Sequence, residues 1–271
     1  MSDLISSKKM IETKSWIDGY IDKFEKEYPL HTWAFRLKKK HSHMVLKEIS
    51  DIARSIGLDE HDIALVEYIG FLHDIGRFYQ MAKYSTFDDK ISIDHGALGV
   101  KILRDNDILN GMDSSEKLII ETAIMFHNKA KLPFMLNKKY SLFSELVRDA
   151  DKLDIFRIDR ENYLNRSSVF GKYPFGNDIS DNVFNQIINK TIISNCNIQN
   201  QIDFIFLRLG WFFDINFAPT FNRILEREYY KMFRSLLPET EKISTALDTV
   251  DNYLYKYIYS DQSPRSAHFS G

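Results

Sequence analysis

The stretch that decides the fold reads Ile63-Ala-Leu-Val-Glu-Tyr-Ile-Gly-Phe-Leu-His-Asp-Ile-Gly-Arg-Phe-Tyr-Gln80. Ile63, Leu65, Val66, Tyr68, Ile69, Phe71, Leu72, Ile75 and Phe78 leave no polar side, and a helix apolar all round belongs inside a bundle. Asp59, just after Gly57, is a helix-capping residue, so a central helix is expected from Asp59 to about Gln80. His73 and Asp74 stand side by side within it. A buried carboxylate is very costly unless it is paired or binds a metal. The plainer alternative is a core His–Asp pair, or a salt bridge to Arg77. His61-Asp62 repeats the dipeptide in a first helical turn, where acids are favoured anyway. The pair alone decides nothing.

Outward from this helix the 3.6-residue period continues. Before it, Trp33, Leu37, His41, Met44, Val45, Ile49, Ile52, Ala53 and Ile56 form one apolar stripe from about Thr32 to Ile56, ended by Gly57. After it, a helix begins near Asp94 with His95, Leu98, Gly99, Ile102 and Leu103 on one side. Asp113 with Glu116 three residues later announces another. It carries Ile120, Ala123, Ile124 and His127, and Pro133 closes its exit. The next runs from about Ser141 to Asp159 and contains Arg148-Asp149-Ala150-Asp151-Lys152-Leu153-Asp154. A loop with Gly171, Pro174 and Gly176 separates it from helical patterns near 181–194, 201–214, 219–235 and 240–259. Ile202, Ile205, Phe206, Leu209, Phe212 and Phe213 are read there as core, and the polar end from about Ser260 is expected to fray. Only 11 Gly and 6 Pro occur in 271 residues, too few for a fold of many short strands. The expected class is all-α, with residues 1–160 as a metal-binding helical domain and 161–271 as a helical extension packed on it.

The 36 basic and 38 acidic side chains give a net charge of −2, which offers no nucleic-acid or anionic-membrane footprint. A single cysteine, Cys196, excludes an internal disulfide framework and fits a reducing cytoplasm. No apolar run reaches 18 residues; the greasiest, Phe204 to Phe213, carries Arg208. Met1 to Met10 lacks the apolar segment of a secretory signal. The expected setting is cytoplasmic, without a membrane.

Three of the other seven histidines change the weight of His73-Asp74. His41 lies four residues from both Leu37 and Val45. His127 follows Ile124 by three and Ala123 by four, and His95 precedes Leu98 and Gly99 by the same steps. One histidine on an apolar face is usually a satisfied core residue. Four on four expected helices, with buried carboxylates at Asp74 and in the run Asp149–Asp154, are the usual ligands of Fe, Mn or Zn in a helical bundle. His43, two residues from His41, is turned about 200° off the stripe and reads as surface or supporting. Asp149, Asp151 and Asp154 all lie near the inner face, and periodicity does not choose among them.

The order His41-Ser42-x-x-Val45, then His73-Asp74-Ile75-Gly76-Arg77, then Ala150-Asp151-Lys152-Leu153-Asp154 resembles the HD-domain superfamily of metal-dependent phosphohydrolases, over roughly residues 30–160. The resemblance implies an HD-like helical bundle in which His41, His73, Asp74 and Asp151 hold one divalent metal. It selects Asp151 within the acidic run, leaving Asp154 as a helix-internal salt bridge or a support for a histidine. His95 and His127 resemble the ligands of branches with two metals, Asp74 bridging. The ions expected are two divalent cations drawn from Fe, Mn, Zn, Ni or Mg.

Such a pair lowers the pKa of a shared water and clamps phosphoryl oxygens. With Asp74, the catalytic candidates are two cationic stabilisers, Arg77 one turn beyond Asp74 and Lys152 beside Asp151, with Lys129 a weaker third; a salt bridge or a solvated surface lysine is the alternative for each. Lys38-Lys39-Lys40 reads as a solvated helix edge. The expected substrate is a small phosphorylated molecule, a nucleotide being one candidate, and the protein is a candidate homo-oligomer. Two other functions remain open. Relatives such as myo-inositol oxygenase use a similar ligand order with two irons and O₂, and a non-catalytic nucleotide- or protein-binding module is the other. There is no G-x-G-x-x-G and no H-E-x-x-H; Gly171 to Gly176 has P-loop spacing but continues Asn177-Asp178. Cys196 has no neighbouring histidine, which argues against a thiol nucleophile.

Overall fold

The computed structural model of the chain describes residues 7–165 and 173–259. The frayed end expected from Ser260, the first residues of Met1–Met10, His268 and the Gly171-Lys172 start of the P-loop-like run lie outside them. Among the described residues there are twelve α-helices and no strand: α1 (Ser7–Glu27), α2 (Thr32–Ser55), α3 (Glu60–Leu72), α4 (Gly76–Tyr84), α5 (His95–Asp105), α6 (Ser114–Phe126), α7 (Lys138–Leu164), α8 (Asp181–Ile188), α9 (Gln201–Gly210), α10 (Ala218–Glu226), α11 (Tyr229–Ser235) and α12 (Glu241–Tyr259). The all-α expectation is met. No helix among them is long and apolar enough to cross a membrane.

The chain divides into two compact units, Met1–Asp151 and Lys152–Gly271. In the first, α2 and α3 form the main helix pair. Buried Val45, Ile49 and Ile52 of α2 pack in this pair with a helix whose Leu65, Val66, Tyr68, Ile69 and Leu72 are all fully buried. The caps are the ones the sequence announces. Asp59 accepts from the Asp62 amide at 2.8 Å to open α3. Asp94 accepts from Gly96 and Ala97 to open α5. Asp113 and Glu116 form a capping box at α6. In the second unit, Phe156 is fully buried and faces the rings of Trp211, Phe212, Tyr229 and Phe233. Asp203, also fully buried, accepts from the amides of Ser180 and Gln199.

Several sequence expectations are corrected. The helix expected from Asp59 to Gln80 is broken at His73–Ile75, where Ile75 N donates to Leu72 O and Arg77 N to Asp74 O. These i→i−3 bonds are a tightened turn. The 219–235 pattern is likewise two helices, parted at Glu228, whose φ is +56°. The 181–194 pattern stops at Ile188, and α9 gives way to a 3₁₀ turn over Trp211–Asp214. Trp33 and Leu37, assigned to the buried stripe of α2, are 64% and 37% exposed; the inward face there is Ala34, Phe35 and Lys38 instead. Helix α1, which buries Ile17, Ile21 and Phe24, has no counterpart in the periodicity reading.

Candidate metal centre

The first unit brings five residues of its helices and turns, and Asp151 at its end, around one point. His41 comes from the middle of α2 and His73 and Asp74 from the α3–α4 turn. His95 begins α5, His127 ends α6, and Asp151 lies in α7. Two glycines make the approach possible. A Cβ on Gly76 would meet His95 O at 2.2 Å and Gly99 N at 3.0 Å, so the start of α4 lies backbone to backbone on α5. A Cβ on Gly96 would meet Ile124 O at 2.8 Å, so α5 starts against the end of α6. The first contact carries Asp74 to His95; the second carries His95 to His127.

The two oxygens of Asp74 face different histidines. Oδ2 lies 3.4 Å from His41 Nε2 and 3.6 Å from His73 Nε2. Oδ1 lies 3.3 Å from His95 Nε2 and 3.6 Å from His127 Nε2. Asp151 Oδ1 adds to the first group, 3.1 Å from His41 Nε2 and 4.0 Å from His73 Nε2. Within the groups, His41 and His73 Nε2 are 3.2 Å apart, and His95 and His127 Nε2 are 3.0 Å apart. His41, His73, Asp74, His95 and His127 are buried, and the Asp151 side chain is 22% exposed, marking where the centre meets solvent.

The donor set fits a cation. His73 Nδ1 lies 2.8 Å from Gly70 O and His127 Nδ1 lies 2.7 Å from Ile124 O. A carbonyl only accepts, so both Nδ1 atoms carry the proton and both Nε2 lone pairs point inward. His95 Nδ1 lies 2.7 Å from Asp89 Oδ2 and 2.9 Å from Oδ1, with the same result. Three imidazole lone pairs thus converge on carboxylates with no proton between His95 and His127. A cation about 2.1 Å from each ligand would space them about 3.0 Å apart in an octahedron and about 3.4 Å in a tetrahedron. Five of the eight observed separations lie in that range, and the other three, from His73 to Asp74 and Asp151 and from His127 to Asp74, are 3.6 to 4.0 Å. The triads His41–His73–Asp74, His73–His127–Asp151 and Asp74–His95–His127 can each offer three ligand atoms to one ion.

Burial pushes the His73 pKa down to about 3, against the opposing pull of Asp74 and Asp151, and lowers His127 as well. Burial alone would raise Asp74, but the Lys38 ammonium, 2.7 Å from Oδ2, together with His73, His127 and His95 holds the carboxyl well below its usual range. His73 and His127 are therefore neutral imidazoles and Asp74 an ionised carboxylate, the protonation states that metals bind.

Around this shell the structure sorts the remaining candidates. Arg77 Nε lies 3.4 Å from Asp74 Oδ1, while its Nη1 donates to Gln80, to Phe87 O and to Asp89. It serves the loop before α5 as well as the centre. Lys129 pairs with Asp94, the cap of α5. Lys152 pairs with Asp214 Oδ2 at 2.7 Å in the second unit. Asp154 pairs with Arg157 one turn away. His43 is exposed, with its ring on Phe71. Arg148, buried, donates to His127 O and Lys129 O, fastening the turn after His127.

Two residues at the centre go unassigned in the sequence reading. Lys38, read as a solvated edge, has a side chain only 17% exposed. Its position three residues before His41, on the same face, is the signal that points to it. Asp89 sits in a loop without periodicity, and no pattern singles it out.

A family model described as HD domain matches residues 39–155, an interval that contains all six ligand candidates. No curated protein and no solved structure gives a significant match to the chain. The match, the helical fold and the convergence of His41, His73, Asp74 and Asp151 agree on one assignment: residues 39–155 form an HD domain, the fold of a superfamily of metal-dependent phosphohydrolases.

Proposed function

We propose that the chain hydrolyses a phosphate mono- or diester of a small molecule, a nucleotide being one candidate, at a two-cation centre. The observation that carries this reading is Asp74, whose Oδ2 faces His41 and His73 and whose Oδ1 faces His95 and His127. One oxygen per group is the arrangement of a bridging carboxylate. His41, His73 and Asp151 would complete one half-site, and His95 and His127 the other. When bound, paired divalent cations supply hydroxide at neutral pH and neutralise phosphoryl oxygens.

The chain's own residues do the rest. Gly70 O and Ile124 O fix His73 and His127 in the Nδ1-protonated form, so their Nε2 atoms stay available. Lys38 brings a positive charge to Asp74 Oδ2 on a side chain that is itself 17% exposed, so it would meet an incoming phosphate oxygen. Burial of the histidine ligands keeps bulk water from competing for them.

The test is turnover of a panel of phosphate mono- and diesters, nucleotides among them, with Mn²⁺ under argon. Phosphate release that stops on chelation supports hydrolysis. Iron-dependent O₂ uptake without phosphate release would place the chemistry with the oxygenases. Tight nucleotide binding without turnover of any ester would make the domain a binding module.

A further inference from the structure

His95 differs from the other two histidines whose Nδ1 partner is defined. His73 and His127 each use a carbonyl of their own helix three residues back. His95 stands at the first turn of α5, where no preceding helical carbonyl is within reach, and uses a carboxylate from the preceding loop. Asp89 receives more than that ring. Its Oδ1 accepts from Arg77 Nη1 at 3.0 Å and from Gln80 Nε2 at 2.8 Å, and its Oδ2 accepts from Asn128 Nδ2 at 2.9 Å. Gln80 is fully buried and also donates to Ser92 Oγ and Ile93 O, so it pins the end of the loop next to α5 as well as Asp89 in its middle. Donors from α4, from His95 in α5 and from the turn after α6 thus fix the carboxylate in place.

The charge distribution gives this a purpose. The His41–His73 group has a carboxylate of its own in Asp151, besides its share of Asp74. The His95–His127 group has its share of Asp74, and of its two rings only His127 can join Asp151 around one ion. Asp89 brings a negative charge to the His95 side one bond further out, through the imidazole. We propose that Asp89 is the positioning residue of the His95–His127 half-site: its carboxylate fixes the His95 ring with Nε2 unprotonated and turned towards Asp74 and His127. The inference rests on the two-cation reading. It goes beyond that reading in making the second ion depend on a residue that touches no ion.

Two measurements on the full chain test it. In metal-free protein, the ¹⁵N pattern of the His95 imidazole should show the proton on Nδ1; in Asp89→Asn it should shift towards a mixture of tautomers. In equilibrium dialysis with Mn²⁺, Asp89→Asn should keep the first ion at its wild-type affinity and bind the second about ten- to a hundredfold more weakly. Asp89→Glu should recover part of that loss. A residue that only holds the loop would lower thermal stability and leave both readouts unchanged. Two ions bound by Asp89→Asn with wild-type affinities, or a wild-type His95 protonated on Nε2, would overturn the inference alone. A wild type that binds no Mn²⁺ would overturn the two-cation reading and this inference with it. Should Asp89→Asn not fold, the wild-type tautomer decides, since it needs no variant.

Discussion

His95 Nε2 and His127 Nε2 lie 3.0 Å apart, and each ring has already committed its proton elsewhere, to Asp89 and to Ile124 O. Two lone pairs at that distance repel unless a positive charge lies between them or beside them. Burial pushes the His127 pKa down, so a proton is a poor candidate for that charge near neutral pH. A metal ion resolves the conflict.

The metal-free protein should therefore lose stability in mildly acidic solution. The His73 pKa falls from an ordinary value of 6.5 in the unfolded chain to about 3 in the folded one. Between those values the unfolded state binds the extra proton, so stability is full above pH 6.5 and drains away as pH falls towards 3. The loss is about 1.4 kcal/mol per pH unit for one such histidine. His127 adds in the same direction. Denaturant unfolding of chelated protein at pH 7.5 and 5 measures it; equal stabilities would contradict these protonation states.

His41→Ala should abolish tight metal retention, because a buried ligand on the inner face is removed. His43→Ala should leave metal content near the wild-type value, since His43 is exposed against Phe71. Elemental analysis of the two purified variants makes the comparison, and the reverse order would place the wrong face of α2 at the centre.

Lys38→Met separates substrate from metal. Removing an ammonium 2.7 Å from Asp74 Oδ2 takes away a charge that opposes cation binding, so Mn²⁺ affinity should hold or rise. Phosphate-ester turnover should nonetheless fall about 10- to 100-fold in kcat/KM, as expected when one charge-stabilising donor is lost. A parallel fall in metal affinity and turnover would mean that Lys38 holds the centre together instead.

Gly76→Ala should destabilise the first unit by about 2–3 kcal/mol, the scale of an overpacked core. The added methyl would lie 2.2 Å from His95 O, and backbone cannot rotate away as a side chain can. Thermal unfolding reads the loss, and metal content should drop with it because His95 moves.

What the sequence makes legible here follows from periodicity and capping. The α2 helix, the caps at Asp59, Asp94 and Asp113, and the inward phase of His41 are all visible as spacings. The break at His73–Ile75 is not, because Ile63 to Phe78 is apolar on every side and offers no change of phase. The exposure of Trp33 and Leu37 is hidden for a related reason: an apolar residue at the flank of a stripe looks the same whether or not anything covers it. Lys38 was masked by its neighbours Lys39 and Lys40, which together look like a solvated edge, although only position 38 shares the His41 face. Asp89 belongs to a loop whose fold depends on Arg77 and Gln80, contacts that no local pattern encodes.

The number of ions per chain tests the two half-sites around Asp74 most directly. Wild-type protein supplied with Mn²⁺ should retain close to two ions. The double variant His95→Gln, His127→Gln should retain close to one, with its helical circular dichroism unchanged and its phosphate-ester turnover greatly slowed. One ion in both proteins, with equal activity, would contradict the account and return His95 and His127 to packing.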